Sequence, residues 1–189
     1  MTVFDRPRYP QDIDLGIAGA IVGYASAWTL GTSALAIPSA LLAGLSLMIA
    51  ASDLRRFIIP DHLVIILAIV GLARALAQSA SWEVLTTALA QSLLYGGSFL
   101  LIRSGYAWVR HRHGLGLGDV KLAAAAGGWL EPALFGQAVA LAAIAGLAAV
   151  LLRAARRGRL SRTTTLLPLG AFLAPSIWIV WVSAYASLG

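Results

Sequence analysis

Residues 45–70 read LSLMIAASDLRRFIIPDHLVIILAIV. Two apolar runs flank a short polar break, and the break sets the architecture. It carries Asp53, Arg55 and Arg56, then Phe57 to Ile59, then Pro60. Pro60 cannot continue a helix and biases Ile59 towards extended backbone. The stretch therefore reads as the end of one membrane helix, a short turn, and the start of the next. Asp61 is placed to cap the second helix, with His62 at its interfacial edge. A carboxylate at the border of hydrocarbon is expensive. Asp53 is therefore either a solvated residue paired with Arg55 or Arg56, or a working group.

Working outward, the whole chain looks like this stretch. Of 189 residues, 59% are hydrophobic and 12% charged, and the mean hydropathy is +0.82. A water-soluble domain of this length could not cover so much apolar surface, so lipid is the solvent for most of it. Apolar runs cover approximately 15–31, 35–51, 62–79, 83–102, 133–152 and 168–186. A shorter run, 119–130, spans only if it extends, tilts or is shielded by neighbours, and is counted as a seventh segment. The expected fold is an all-α polytopic bundle of about seven transmembrane segments, one of them short. No linker or repeat divides it, so residues 1–189 form one domain, with 1–14 as an N-terminal tail. That tail lacks the basic start and short apolar core of a cleavable signal peptide.

With no cysteine, disulfides, thiolate catalysis and cysteine-based zinc sites are excluded. His111 and His113 lie in a basic loop and give no strong metal signature, so no metal and no organic cofactor are expected. The net charge of +6 raises the possibility of nucleic acid, but the placement of the charges argues against it. Of the fourteen Lys and Arg residues, all but Arg74 fall in alternate connections: near residues 6–8, 55–56, 103–121 and 153–162. The intervening connections carry none. This is the positive-inside pattern. It places the N-terminus in the cytoplasm and puts Asp53 and Asp119 on the same, cytoplasmic side. Gly19 and Gly23 are four apart, a spacing that lets helices approach closely in lipid. Packing within the chain is the simpler use of such faces, and a homodimer stays open.

Asp119 closes a second motif, Gly116-Leu117-Gly118-Asp119, preceded by Gly114. Alternating glycines permit unusual dihedrals and close backbone approach. Read alone, this is a flexible loop ended by an N-cap aspartate. Lys121, two residues on, points away from Asp119 around the helix and is suited to snorkelling towards headgroups. A third stretch, Leu167-Pro168-Leu169-Gly170-Ala171, opens the last apolar run. It is either a proline in the first turn of a helix or a kink whose exposed polar groups hold an extended peptide. Two carboxyls that share a site cannot both ionise easily, so one keeps a proton while the other acts as a base.

Together these residues resemble the type IV prepilin peptidases, membrane aspartic proteases of the GxGD kind. The family's first aspartate precedes a segment ending in Ile-Pro and then Asn or Asp, matched by Asp53, Ile59, Pro60 and Asp61. Its Gly-x-Gly-Asp-x-Lys-Leu pattern is matched by Gly116, Gly118, Asp119, Lys121 and Leu122. Its Pro-x-Gly-x-x-Leu element is matched by Pro168, Gly170 and Leu173. That element often continues with proline where Ala171 stands. The chain lacks the cysteine-bearing insert of the long members that also methylate their product. It resembles the short, peptidase-only kind associated with Flp or tight-adherence pili. The resemblance implies catalytic Asp53 and Asp119 and hydrolysis without metal or covalent intermediate. It also implies a prepilin or pseudopilin substrate with a basic leader before an apolar helix, and a place in the bacterial inner membrane. Basic loops should repel a basic leader, and Asp5, Asp12, Asp14 and Asp61 are available to offset this. Alternatives are a presenilin-type protease, whose Tyr-Asp and Pro-Ala-Leu elements are missing here, a proton-coupled small transporter, and a non-catalytic membrane scaffold.

Overall fold

The computed structural model describes residues 9–29, 35–111, 114–157 and 167–186. Among them the chain forms seven α-helices and no strand. These are α1 (Tyr9–Thr29), α2 (Ala36–Arg56), α3 (Asp61–Gln78), α4 (Trp82–Arg110), α5 (Leu117–Ala125), α6 (Pro132–Arg157) and α7 (Gly170–Ala186), with a 3-10 turn at Ala126–Gly128 after α5. α2, α3, α4 and α6 are each long and apolar enough to cross a bilayer, and α1 and α7 carry the shorter apolar stretches Ile13–Ser26 and Gly170–Tyr185. The fold is the helical membrane bundle that the apolar runs predict.

Two boundaries differ from that expectation. α1 starts at Tyr9, so the last part of the expected tail is helical. Residues 1–8, with Asp5, Arg6 and Arg8, lie outside the described residues, as do Arg112, His113, Arg159 and Arg162. α5 has only nine residues, about 14 Å of rise, and does not lengthen into a seventh full span. It survives by shielding, with Leu122, Ala123 and Ala125 buried against α3 and α4. Its end is set by Gly127 and Gly128. A Cβ on Gly127 would lie 2.4 Å from the Ser92 amide nitrogen, and one on Gly128 2.9 Å from the Gly71 carbonyl carbon. Backbone meets backbone there, and the helix tightens into the 3-10 turn.

α2 is the central helix. Of its most apolar window 56% is buried, against 22% for α3, 22% for α4 and 17% for α6. α1 seats on it through the expected glycines. A Cβ on Gly19 would come within 2.9 Å of the Ala43 carbonyl oxygen, and one on Gly23 within 2.5 Å of that of Ser39. Small residues thus serve packing inside the chain at this face. On its other side α2 meets α7, where the Trp178 indole N–H donates to Ser39 Oγ at 3.1 Å.

α3, α5 and α7 all begin at the end of the bundle where α2 stops. At their other end, Trp129 donates its indole N–H to the Leu67 carbonyl at 2.9 Å and stands edge-on to Trp181 at 5.6 Å. Arg74, the basic residue that breaks the charge pattern, sits here. Its guanidinium lies 5.5–5.7 Å from the ring centres of Trp129, Trp181 and Tyr185 and donates to the Gly128 carbonyl at 3.3 Å.

Candidate active site

The turn after α2 is built around Asp53. Phe57 adopts left-handed backbone (φ 55°), and its N–H donates to the Asp53 carbonyl at 2.9 Å. A non-glycine residue in that region costs about 1 kcal/mol, and this closing bond offsets part of it. Ser52 Oγ donates to the Ile58 carbonyl at 2.8 Å. The turn thereby exposes Phe57 and Ile58 and sends Ile59 inwards, where it is 8% exposed. Pro60 forms the start of α3, because its carbonyl accepts from the amides of Leu63 and Val64. This corrects the role expected for Asp61. It is the first residue of α3 rather than its cap and makes no capping bond. Its carboxylate instead accepts from Lys121 Nζ at 2.7 Å, with both side chains more than half exposed. Lys121 accordingly pairs with Asp61.

Asp53 and Asp119 come together. They are 5% and 8% exposed, so neither is the solvated residue that each motif alone would allow. Both face Gly170. A Cβ there would lie 3.0 Å from Asp53 Oδ2 and 3.2 Å from Asp119 Oδ1, which bounds the separation of the two oxygens. Asp53 Oδ2 accepts from the Ala171 amide at 2.9 Å. Asp119 is the third residue of α5 rather than its cap, and its Oδ2 accepts from the Gly116 amide at 3.2 Å. Each carboxylate thus sits at a helix N-terminus, where unpaired amides and the helix dipole favour negative charge. Asp119 Oδ1 is buried and makes no hydrogen bond within the protein.

The glycines contribute space rather than unusual dihedrals. None of Gly114, Gly116 and Gly118 is left-handed. A Cβ on Gly118 would lie 2.9 Å from Ile59 Cβ, and one on Gly170 2.4 Å from Ile59 Cδ1. Ile59 is wedged between the two glycines and holds the three motifs in register. Pro168 is buried in non-helical backbone two residues before α7, neither in the first turn of the helix nor at a kink within it. The polar group this element brings to the aspartates is the Ala171 N–H, and Asp53 takes it.

Several positioning groups were not singled out from the sequence. The Ala171 donor is backbone and leaves no signature in residue type. The Arg103 guanidinium donates to the Leu115 carbonyl, and the Tyr106 ring lies where a Cβ on Gly114 would stand. Both come from α4, which runs on to Arg110. An arginine one turn from a tyrosine at the end of an apolar run was the available signal. Among the described residues no three His, Asp or Glu side chains lie together as metal ligands would; His62 and His111 are exposed. A cleft of about 210 Å³ opens at the site. Its lining comprises Asp53, the Phe57–Ile59 turn, Asp61 and the Gly116–Asp119 segment.

Residues 40–151 match the type IV leader peptidase family. Over 147 residues the chain is 35% identical to Leader peptidase HopD of Escherichia coli, covering 77% of this chain and 93% of that protein. No solved structure matches. Asp53 and Asp119 fall inside the residues matched by the family, whereas Gly170 lies beyond them and reaches the same site through the fold. The chain is a hydrolase that belongs to the type IV leader peptidase family.

Proposed function

We propose that the chain is an aspartic endopeptidase that removes the basic leader of a type IV (Flp-like) prepilin or pseudopilin at the cytoplasmic face of the bacterial inner membrane. The observation that carries this reading is the shared site: two buried carboxyls facing one glycine, with Asp119 Oδ1 unbonded. One carboxylate takes a proton from water as the water attacks the scissile carbonyl. The other, protonated, donates to the carbonyl oxygen, and the roles reverse as the amine leaves. Each carboxyl can hold either role in this geometry. Gly170, Gly118 and Ile59 position the pair, and Gly116 and Ala171 orient it through their amides. A site at the boundary of the bundle suits a substrate whose leader is polar and whose following helix is apolar. Metal and organic cofactor have no part in this chemistry.

The experiment is cleavage of a purified prepilin in detergent. Asp53→Asn and Asp119→Asn should each lower the rate by about 10³-fold or more, with the protein still present in the membrane. Wild-type processing by either variant removes that aspartate from the mechanism. Sidedness is tested with single cysteines at Phe57 and Leu115 in this cysteine-free chain. Labelling of intact cells by an impermeant thiol reagent would overturn the cytoplasmic placement.

A further inference from the structure

Asp61 lines the catalytic cleft and also a second, larger hollow of about 430 Å³ that leads away from it. This groove runs between α3, α4 and α5, over Val64, Ile65, Ala68, Ser92, Ala124 and Ala125. Ala68, Ser92 and Ala125 also line a third hollow of about 160 Å³, which reaches Leu72 and Gly128. The three adjoin one another through shared lining residues, Asp61 between the first two and Ala68, Ser92 and Ala125 between the last two. From Asp61 to Leu72 the path follows α3 for about three turns, roughly 16 Å. Its α3 residues 61, 65, 68 and 72 form one stripe of that helix, and the opposite wall is alanine, serine and glycine apart from Lys121 and Leu89.

We propose that this groove receives the first turns of the substrate's apolar helix, immediately after the scissile bond. The inference rests on the peptidase reading above and adds where the substrate is gripped. Three observations select a helix beginning at the aspartates over a lipid tail or a second copy of the chain. Asp61 lines both the groove and the catalytic cleft, so an occupant of the cleft meets the groove at that residue. Polarity changes at the junction as it does along the proposed substrate: the charged side chains lining the cleft are Asp53, Asp61 and Asp119, while beyond the Asp61–Lys121 pair the groove is apolar. With Asp61 paired to Lys121 and one of the catalytic carboxyls protonated, the remaining carboxylate offers a basic leader one negative charge at the cleft. The floor of small side chains lets a helix backbone approach closely, which is how helices associate in lipid.

The test compares two substrates with the full-length enzyme in detergent: an intact prepilin, and one truncated a few residues after the cleaved bond. Wild type should prefer the intact substrate by about tenfold or more in kcat/KM, and Ala68→Leu or Ala124→Leu should erase most of that preference. No preference in wild type, or a preference that survives both substitutions, overturns the groove while leaving the peptidase standing. Cleavage of neither substrate by wild type overturns both readings. Because a leucine variant could fail to fold, a second arm uses crosslinking. In the Asp119→Asn background, a cysteine at Ala124 should form a disulfide with a cysteine one or two turns into the substrate helix. If a cysteine at Phe57 captures the leader side while Ala124 captures nothing, the groove belongs to lipid and the proposal falls.

Discussion

At the end of the bundle where α2 stops, two carboxylates are buried against backbone. Roughly 20 Å away along α3, Arg74 is packed among three aromatic rings. The two ends handle charge differently. Arg74 is spent on neighbours: Gly128 accepts from it, Gln78 accepts from it at 3.3 Å, and Trp129, Trp181 and Tyr185 face its cation. The aspartates are held by backbone amides, Ala171 donating to Asp53 and Gly116 to Asp119. A cation surrounded by aromatic rings and bonded to a backbone carbonyl is structural, even with its Nε unbonded. Two carboxyls that face the same glycine on the wall of a cleft can share a proton and meet a substrate there. Asp53 comes from the end of α2, Asp119 from α5 and Gly170 from α7, whereas Arg74 comes from α3, Trp129 from the turn after α5, and Trp181 and Tyr185 from α7, so each end can be perturbed separately.

Gly170→Ala should break the aspartate end most completely. The new methyl would stand 3.0 Å from Asp53 Oδ2, 3.2 Å from Asp119 Oδ1 and 2.4 Å from Ile59 Cδ1. We expect a loss of about 10³-fold in prepilin cleavage, the scale of general acid–base catalysis. Ile59→Val removes the Cδ1 clash but leaves the carboxyls crowded, so the double variant should stay inactive. Recovery in the double variant would mean that Gly170 makes room for Ile59 alone. The paired test at the other end is Arg74→Met. It should lower stability by about 2 kcal/mol through lost cation–π contacts and two lost hydrogen bonds, to Gly128 and Gln78, while the folded fraction cleaves at the wild-type rate. A melting curve and an initial rate on one preparation separate the two ends.

The comparison also shows what a sequence carries. The apolar runs were legible because lipid demands long apolar helices, and the Asp53–Pro60 break was legible because proline and charge interrupt them. The meeting of Asp53 with Asp119 followed from common sidedness and motif order. Aspartate commonly caps helices, but at Asp61 the Pro60 carbonyl has already begun the helix. A glycine motif suggests dihedral freedom, and the structure uses this one for room. A lysine at a membrane border suits headgroups, and Lys121 instead meets Asp61, sixty residues earlier in the chain. Arg74 stood out only as an exception to the charge count. Its rings come from α7 and from the turn after α5, and no local pattern brings those together. Contacts made by backbone atoms, or by side chains from distant segments, are the part that residue types do not announce.

α5 joins both ends and allows a sharper contrast. Gly118→Ala places a methyl 2.9 Å from Ile59 Cβ, which must shift the turn or the Asp119 segment. A misplacement of about 1 Å can cost about a hundredfold in rate, and we expect a loss of that order with little change in melting temperature. Gly127→Ala meets the Ser92 backbone at 2.4 Å, which cannot yield cheaply. It should lower stability by about 1–3 kcal/mol and spare the rate of the folded enzyme. The reverse assignment of rate and stability would place the positioning function in the 3-10 turn after α5 rather than at the start of α5.

The smallest expected effect concerns the Ala171 amide, the bonded donor to Asp53. Ala171→Pro removes that N–H and little else, since a proline near the start of a helix takes no intrahelical bond away and Gly170 before it tolerates the restriction that proline imposes. The type IV prepilin peptidases often carry proline there, so the fold should accept it. A hydrogen bond to a charged group contributes about 1.5–3 kcal/mol, but the orientation of Asp53 is also fixed by packing against Gly170 and Ile59. We therefore expect about a tenfold fall in kcat with KM near wild type, because the apolar groove and the cleft mouth are untouched. Ala171→Gly keeps the amide and should keep the rate. If the proline variant cleaves as fast as wild type while folding normally, Asp53 is held by packing alone. The aspartate end would then resemble the Arg74 end more closely than its hydrogen bonds indicate.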